Sequence, residues 1–182
     1  MSPGKQSVFI RRRLEQRRRL KDSSDKILDD RGWTPLHIEA RKGNLKQVRR
    51  LLDEGANVNV RALGPKFRGA TPLHLASAGG HLKVMNELLE RGADIDARTK
   101  GGACGWTPIH YAAKQQNKKA IEFLIENGAF LPAHMDDTRF NPDLHYCPGL
   151  EWAYEFKMVT EITLISFSSD GTSCSEENIN RI

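Results

Sequence analysis

Three near-copies of one six-residue phrase govern what this chain can fold into: Gly32-Trp33-Thr34-Pro35-Leu36-His37, Gly69-Ala70-Thr71-Pro72-Leu73-His74 and Gly105-Trp106-Thr107-Pro108-Ile109-His110. Each is followed by an amphipathic stretch that ends in two large apolar residues and then Gly-Ala: Leu51-Leu52 before Gly55-Ala56, Leu88-Leu89 before Gly92-Ala93, Phe123-Leu124 before Gly128-Ala129. The threonines stand 37 and 36 residues apart. Self-similarity at a period of roughly 20 to 50 residues means stacked units, each leaning on its neighbours, rather than a core gathered from distant segments. The spelling also says what one unit is. A Thr can cap a helix N-terminus, and Pro fits the first helical position, where an amide N–H has no partner to lose. Gly43 and Gly80 permit the left-handed backbone that ends a first helix, and Gly55, Gly92 and Gly128 do the same for a second. Each unit is therefore predicted to be helix, turn, helix.

From Asp30 to Ala129 these features resemble the ankyrin repeat. The excess over the roughly 33 residues of that unit falls between Asn59 and Gly69 and between Asp96 and Gly105. Gly, Pro, Lys and Arg cluster there without a helical period, so both connecting fingers should be lengthened. The third copy has Gln116-Asn117 where the second has Gly80-His81, and Asn117 is expected to supply the left-handed residue, a conformation Asn visits more readily than most. End repeats need covers. Glu39 stands where the other copies have Ala76 and Ala112, and Pro132 interrupts the finger that would open a fourth repeat. A short amphipathic helix over Gly149 to Phe156 is the predicted C-terminal cover. The expected architecture is all-α: a solenoid of three helix-turn-helix repeats with long β-hairpin-like fingers. Its segments are a basic arm over 1–29, repeats over 30–133, a capping segment over 134–159, and a polar tail of low order over 160–182.

Charge is distributed unevenly. Residues 1–29 carry nine Lys or Arg against four acids, which accounts for the whole net charge of +5 and leaves nineteen bases and nineteen acids in the other 153 residues. The arm holds two clusters, Arg11-Arg12-Arg13 and Arg17-Arg18-Arg19. Nuclear import and nucleic-acid contact both suit such a run, beside the plainer reading of a solvated arm; Glu15, Asp22, Asp25 and Asp29 argue against an organelle transit peptide. The longest apolar stretch near the C-terminus, Ile162 to Phe167, is broken by Thr163 and Ser166 and is far shorter than the roughly 20 residues of a membrane span. The start is Arg-rich without the apolar core of a secretory signal. Cys104, Cys147 and Cys174 are odd in number and widely spaced, as expected of free thiols in a reducing compartment. Together these features predict a protein of cytoplasm and nucleus with no membrane partner.

His37, His74 and His110 occupy one position of the repeat, directly after the capping Thr-Pro, and a structural role is expected for all three. No Cys or His pair has zinc-site spacing. Gly101-Gly102-Ala103-Cys104-Gly105 lacks the Lys-Ser/Thr of a phosphate loop, and no nucleophile elbow or kinase loop occurs. The expectation is a non-enzyme without cofactor or small-molecule substrate. Binding residues are sought instead beside each capping Thr, at the ends of the first helices and in the fingers: Trp33, Arg41, Lys42, Arg61, Lys66, Phe67, Arg68, Arg98, Trp106 and Lys114. Aromatic residues among arginines resemble the composition of interface hot spots and suggest an acidic or aromatic-accepting protein surface. Trp33 and Trp106 are expected to be exposed partner contacts rather than core.

Several stretches together resemble a narrower plant family, the phytochrome-interacting ankyrin-repeat proteins: the Arg-rich start, Asp30-Arg31-Gly32-Trp33-Thr34, Gly102-Ala103-Cys104-Gly105-Trp106, Asn127-Gly128-Ala129-Phe130-Leu131-Pro132, and Cys147-Pro148-Gly149-Leu150-Glu151-Trp152-Ala153-Tyr154. The likeness runs from the arm to Phe156. It implies a small protein of cytosol and nucleus that binds the red-light photoreceptor phytochrome and modulates light signalling, including anthocyanin production. The alternative is a nucleic-acid-associated regulator whose arm contacts phosphates while the array recruits a partner. Ile162 to Phe167 is less like the polar tail of that family.

Overall fold

The computed structural model describes residue 29, residues 31–100, 105–142 and 145–169, with side chains of the last stretch up to Glu161. Among the described residues the α-helices come in three pairs, α1 (Pro35–Lys42) with α2 (Leu45–Asp53), α3 (Pro72–Gly79) with α4 (Leu82–Glu90), and α5 (Pro108–Lys114) with α6 (Lys118–Glu126). A seventh, α7 (Leu150–Ser169), closes the stack. No strand occurs among the described residues. The arm with Arg11 to Arg13 and Arg17 to Arg19, the glycine run 101–104 and the last thirteen residues lie outside them.

The helices start where the Thr-Pro pairs require. Thr34, Thr71 and Thr107 are the N-caps, each followed by Pro in the first turn. Gly43 and Gly80 end the first helices at φ of 75° and 69°. In the third repeat the left-handed residue is Gln116 at φ 55°, while Asn117 is the N-cap of α6 at φ −82°. The expectation for Asn117 thus fails by one residue. The aligned partner of Gly80 is Gln116, and the geometry of the turn overrides the weak preference of Gln against that conformation. Asn117 works laterally instead: its Nδ2 donates to the Ala78 carbonyl at 2.8 Å, as His81 Nε2 donates to the Arg41 carbonyl at 2.9 Å.

One continuous core runs along the stack, from Leu36, Val48 and Leu52 through Leu73, Met85 and Leu88 to Ile109, Ile121 and Leu124. Leu88 and Leu124 are fully buried and Val84 nearly so, as the Leu-Leu and Phe-Leu pattern demands. Glu39, by contrast, stays partly exposed at the first repeat and binds Lys42 and Asn44, whereas Ala76 and Ala112 are fully buried against neighbours. On the opposite side Glu87 is almost buried between repeats and ties Arg49 at 2.6 Å to Arg91 at 3.2 Å.

The fingers cross-link adjacent repeats. Ala62 and Ala70 close the first in a hairpin-like bond of 2.8 Å, and a single 3-10 turn, Pro65–Phe67, forms its tip. Leu63 donates to the Gly32 carbonyl and Lys100 to that of Arg68, at 3.0 and 2.8 Å, so each finger is hydrogen-bonded to the one before. At the far end Cys147, Leu150 and Ala153 are completely buried against repeat three, and the Gly149 amide donates to the Ala113 carbonyl at 3.1 Å. The capping helix is longer than expected. It continues past Thr160 to Ser169 because nothing between Leu150 and Ser169 is Gly or Pro, and the first breaker is Gly171. None of the described helices is long and apolar enough to cross a membrane.

Candidate protein-docking groove

The repeat histidines set the geometry of the site. In each, Nδ1 accepts the backbone N–H of the capping Thr three residues earlier, at 3.2, 3.1 and 3.0 Å, which is the reach-back of a capping box with His in the place of Glu or Gln. Nε2 faces acceptors: the Ala70 carbonyl for His37 at 3.0 Å, the Trp106 carbonyl for His74 at 2.9 Å and Asn141 Oδ1 for His110 at 3.1 Å. A carbonyl can only accept, so Nε2 carries the proton and the rings are neutral. Burial holds all three well below the ordinary imidazole value, at about 4. His37 and His74 thereby fix both their own helix starts and the residue preceding the next repeat's Thr. Where a fourth repeat would supply a carbonyl, Asn141 substitutes, its amide held in turn by the Met135 carbonyl and Tyr154 hydroxyl.

Between the ends of the first helices and the fingers lies a groove of about 930 Å³ that spans all three repeats. Of the residues singled out from sequence, Trp33, Arg41, Lys66, Phe67, Arg68, Trp106 and Lys114 line it together. The structure adds Arg31, Lys100, Leu75, Ala78 and Tyr111. Lys42, Arg61 and Arg98 are not in its walls. Lys42 pairs with Glu39 at 3.1 Å, Arg61 donates to the Arg98 carbonyl at 2.7 Å and so ties one finger to the next, and the Arg98 guanidinium lies 5.1 Å from the Phe140 ring centre. For Arg61 the sequence's loop charge is therefore a fold contact. A signal for Arg31 was available, since it sits two residues before Trp33 in the same finger; Tyr111 could have been found by aligning it with Leu75, its counterpart in repeat two.

Trp33 corrects an expectation. It is only 4% exposed and packs with Ala62, Ala70 and Leu75 in a small second core. Phe67 meets it edge-on with ring centres 5.1 Å apart, and the Arg31 guanidinium covers it at 3.9 Å. The lengthened first finger folds back over the ring, which is why a position held by Ala70 in the next repeat accommodates Trp here. Trp33 is a wall of the groove and part of its foundation, not an exposed anchor. Trp106 is partly buried, with Tyr111 edge-on at 5.9 Å and Lys114 Nζ 4.9 Å above the ring.

The electrostatics are one-sided. Arg31, Arg41, Lys66, Arg68, Lys100 and Lys114 line the groove, and among the described residues no Asp or Glu does; Arg31 pairs with Asp29, outside the groove lining, at 2.8 Å. A second cavity of about 670 Å³ on the outer face of α2 mixes Lys46, Arg49 and Arg50 with Asp53 and Glu54 and shows no such bias. Among the described residues no three His, Cys, Asp or Glu gather as a metal site, and Cys147 is buried, its Sγ donating to the His110 carbonyl at 3.5 Å.

Comparison with known proteins agrees with this architecture. The family profile described as ankyrin repeats in three copies matches residues 14–99, and that of the single ankyrin repeat matches 104–136. The chain is 68% identical over 151 residues, 82% of its length and 85% of the relative's, to phytochrome-interacting ankyrin-repeat protein 1 of Arabidopsis thaliana. It is 56% identical over 149 residues, 82% of its length and 83% of the relative's, to phytochrome-interacting ankyrin-repeat protein 2 of the same plant.

Proposed function

The chain belongs to the phytochrome-interacting ankyrin-repeat proteins, and on that premise we propose that it is a non-catalytic adaptor that binds phytochrome through the three-repeat groove and modulates light signalling, anthocyanin production included. The observation that carries the docking role is the groove itself: six cations and no carboxylate among its described lining residues, with Trp106 and Tyr111 half-buried between them. Large aromatic surfaces supply contact area at low entropic cost, and a one-signed rim accelerates encounter with a partner of opposite sign. That the two Arabidopsis thaliana relatives are named for interaction with phytochrome supports this choice of partner. Binding of the purified full chain to purified phytochrome, measured in light and in dark, tests it; absence of binding in both states removes phytochrome as the partner.

The Arg-rich arm is assigned to nuclear import, which would give the protein access to both cytoplasm and nucleus. The charge count favours a local role, because the arm holds the entire net charge of +5. The alternative role, phosphate contact by the arm in a nucleic-acid-associated regulator, predicts steep salt dependence, since each phosphate neutralised releases a counterion. A salt titration against duplex DNA separates the two.

A further inference from the structure

We propose that the groove accepts an extended acidic polypeptide segment in which an apolar side chain is flanked by carboxylates; this rests on the docking role assigned to the groove above. The equivalent position of the three first helices, seven residues after each capping Thr, is Arg41, then Ala78, then Lys114. All three line the groove. Successive repeats therefore present cation, methyl, cation across its length. Below Ala78, one turn earlier on the same helical face, lies Leu75, 2% exposed, with Tyr111 of the next repeat beside it in the lining. The middle of the groove is thus an apolar gap between two charged posts.

The posts are held at fixed spacing. His81 binds the Arg41 carbonyl at 2.9 Å, Asn117 binds that of Ala78 at 2.8 Å, and the Gly149 amide binds that of Ala113, adjacent to Lys114, at 3.1 Å. Across from them Lys66, Arg68 and Lys100 extend the positive wall along the fingers. A ligand with carboxylates brings negative charge to a wall whose described residues include no carboxylate. Among the described residues, Trp33 Nε1 is the buried side-chain nitrogen without a hydrogen-bond partner, and Trp33 belongs to this wall.

A nucleic acid shares the negative charge but needs open aromatic faces on which bases can stack. Trp33 is buried beneath Arg31, and Trp106 packs on the core on one side and carries Lys114 over its ring. The indole faces of Trp33 and Trp106 are therefore taken, and the feature left between the two charged posts is the apolar gap at Ala78 and Leu75.

The test is selection of a random linear peptide library displayed on phage against the full chain, followed by fluorescence-anisotropy titration of the enriched peptides as synthetic probes. The expected peptides place Asp or Glu on both sides of Leu, Ile, Phe or Trp. Their affinity should fall at least about tenfold in Arg41→Glu, in Lys114→Glu and in Ala78→Trp, each melting as wild type. Enriched peptides without acids, whose binding is nevertheless lost in Ala78→Trp, would overturn the acidic chemistry and leave the docking face standing. Acidic peptides that bind all three variants as they bind wild type would overturn both. A labelled oligothymidylate that binds more tightly than any enriched peptide, and is released by the same substitutions, would overturn the proposal in favour of nucleic acid.

Discussion

Acid should unfold this protein through its three repeat histidines well before its carboxylates titrate. His37, His74 and His110 have folded-state values near 4 against 6.5 in the unfolded chain, because burial disfavours the charged ring. Protonation also turns Nδ1 from an acceptor into a donor that faces the Thr amide. The sign follows from the lowered value. Between pH 6.5 and 4 the unfolded chain binds more protons than the folded one, so stability is full above pH 6.5 and falls as the pH drops towards 4. At about 1.4 kcal/mol per pH unit, each histidine costs about 2 kcal/mol at pH 5 and roughly 3 kcal/mol once below 4. Acting independently, the three remove about 6 kcal/mol at pH 5, a large part of the roughly 5–15 kcal/mol that domains possess. Asp29 and Asp137 have lowered values too, held down by their contacts with Trp33, Arg31 and Arg139; their stabilisation is lost only on further acidification, below the ordinary carboxylate value. Urea midpoints followed by circular dichroism between pH 7.5 and 5 measure the slope. His74→Gln keeps a capping acceptor at that position, gives up the bond to the Trp106 carbonyl, and should lower the slope by about a third at a cost of about 1 kcal/mol at pH 7.5. A midpoint that does not move between pH 7.5 and 5, or a slope untouched by His74→Gln, would refute the neutral buried tautomer.

Other outcomes follow from single contacts. Trp33→Ala should cost about 3–5 kcal/mol in thermal or urea melts, since it empties the centre of the second core, and any loss of partner binding should track unfolding. Gly149→Ala would put a methyl 2.6 Å from the Ala113 carbonyl oxygen, so the start of α7 must move; a loss of about 1–3 kcal/mol is expected, with increased hydrogen exchange at α6 and α7. Replacing Arg11 to Arg13 and Arg17 to Arg19 by Ala should reduce nuclear fluorescence of a tagged chain and leave the melt of the array unchanged; equal nuclear signal would remove the import role.

The repeat phrase made most of the fold legible, because it encodes local events: a Thr cap, a Pro at the first turn, a Gly after the last. What escaped were outcomes decided between segments. Trp33 could not be placed from its neighbours in sequence, since its burial depends on Phe67, over thirty residues away, folding back from a lengthened finger. Arg61 reads as one more loop cation until the Arg98 carbonyl is beside it. The one-residue error at Gln116 and Asn117 came from ranking residue preferences where the turn's register decides. The length of α7 was legible, in the absence of Gly and Pro up to Ser169, but the serines drew the reading away. For the groove, the set of lining residues was largely visible as sequence positions, while the alternation of Arg41, Ala78 and Lys114 gained meaning only when the three helix ends lay side by side.

The central claim, that the basic three-repeat groove is where the protein partner binds, is tested most directly by isothermal titration of purified phytochrome into the wild-type chain and into the Arg41→Glu, Lys114→Glu double variant. Both side chains are exposed at helix ends and neither has a carboxylate partner among the described residues, so the variant should melt as wild type. Affinity should fall at least about tenfold in the variant, equivalent to about 1.4 kcal/mol, and the wild-type affinity should weaken as salt is raised. Unchanged affinity in a fully folded double variant would contradict the claim and place the binding face elsewhere on the array.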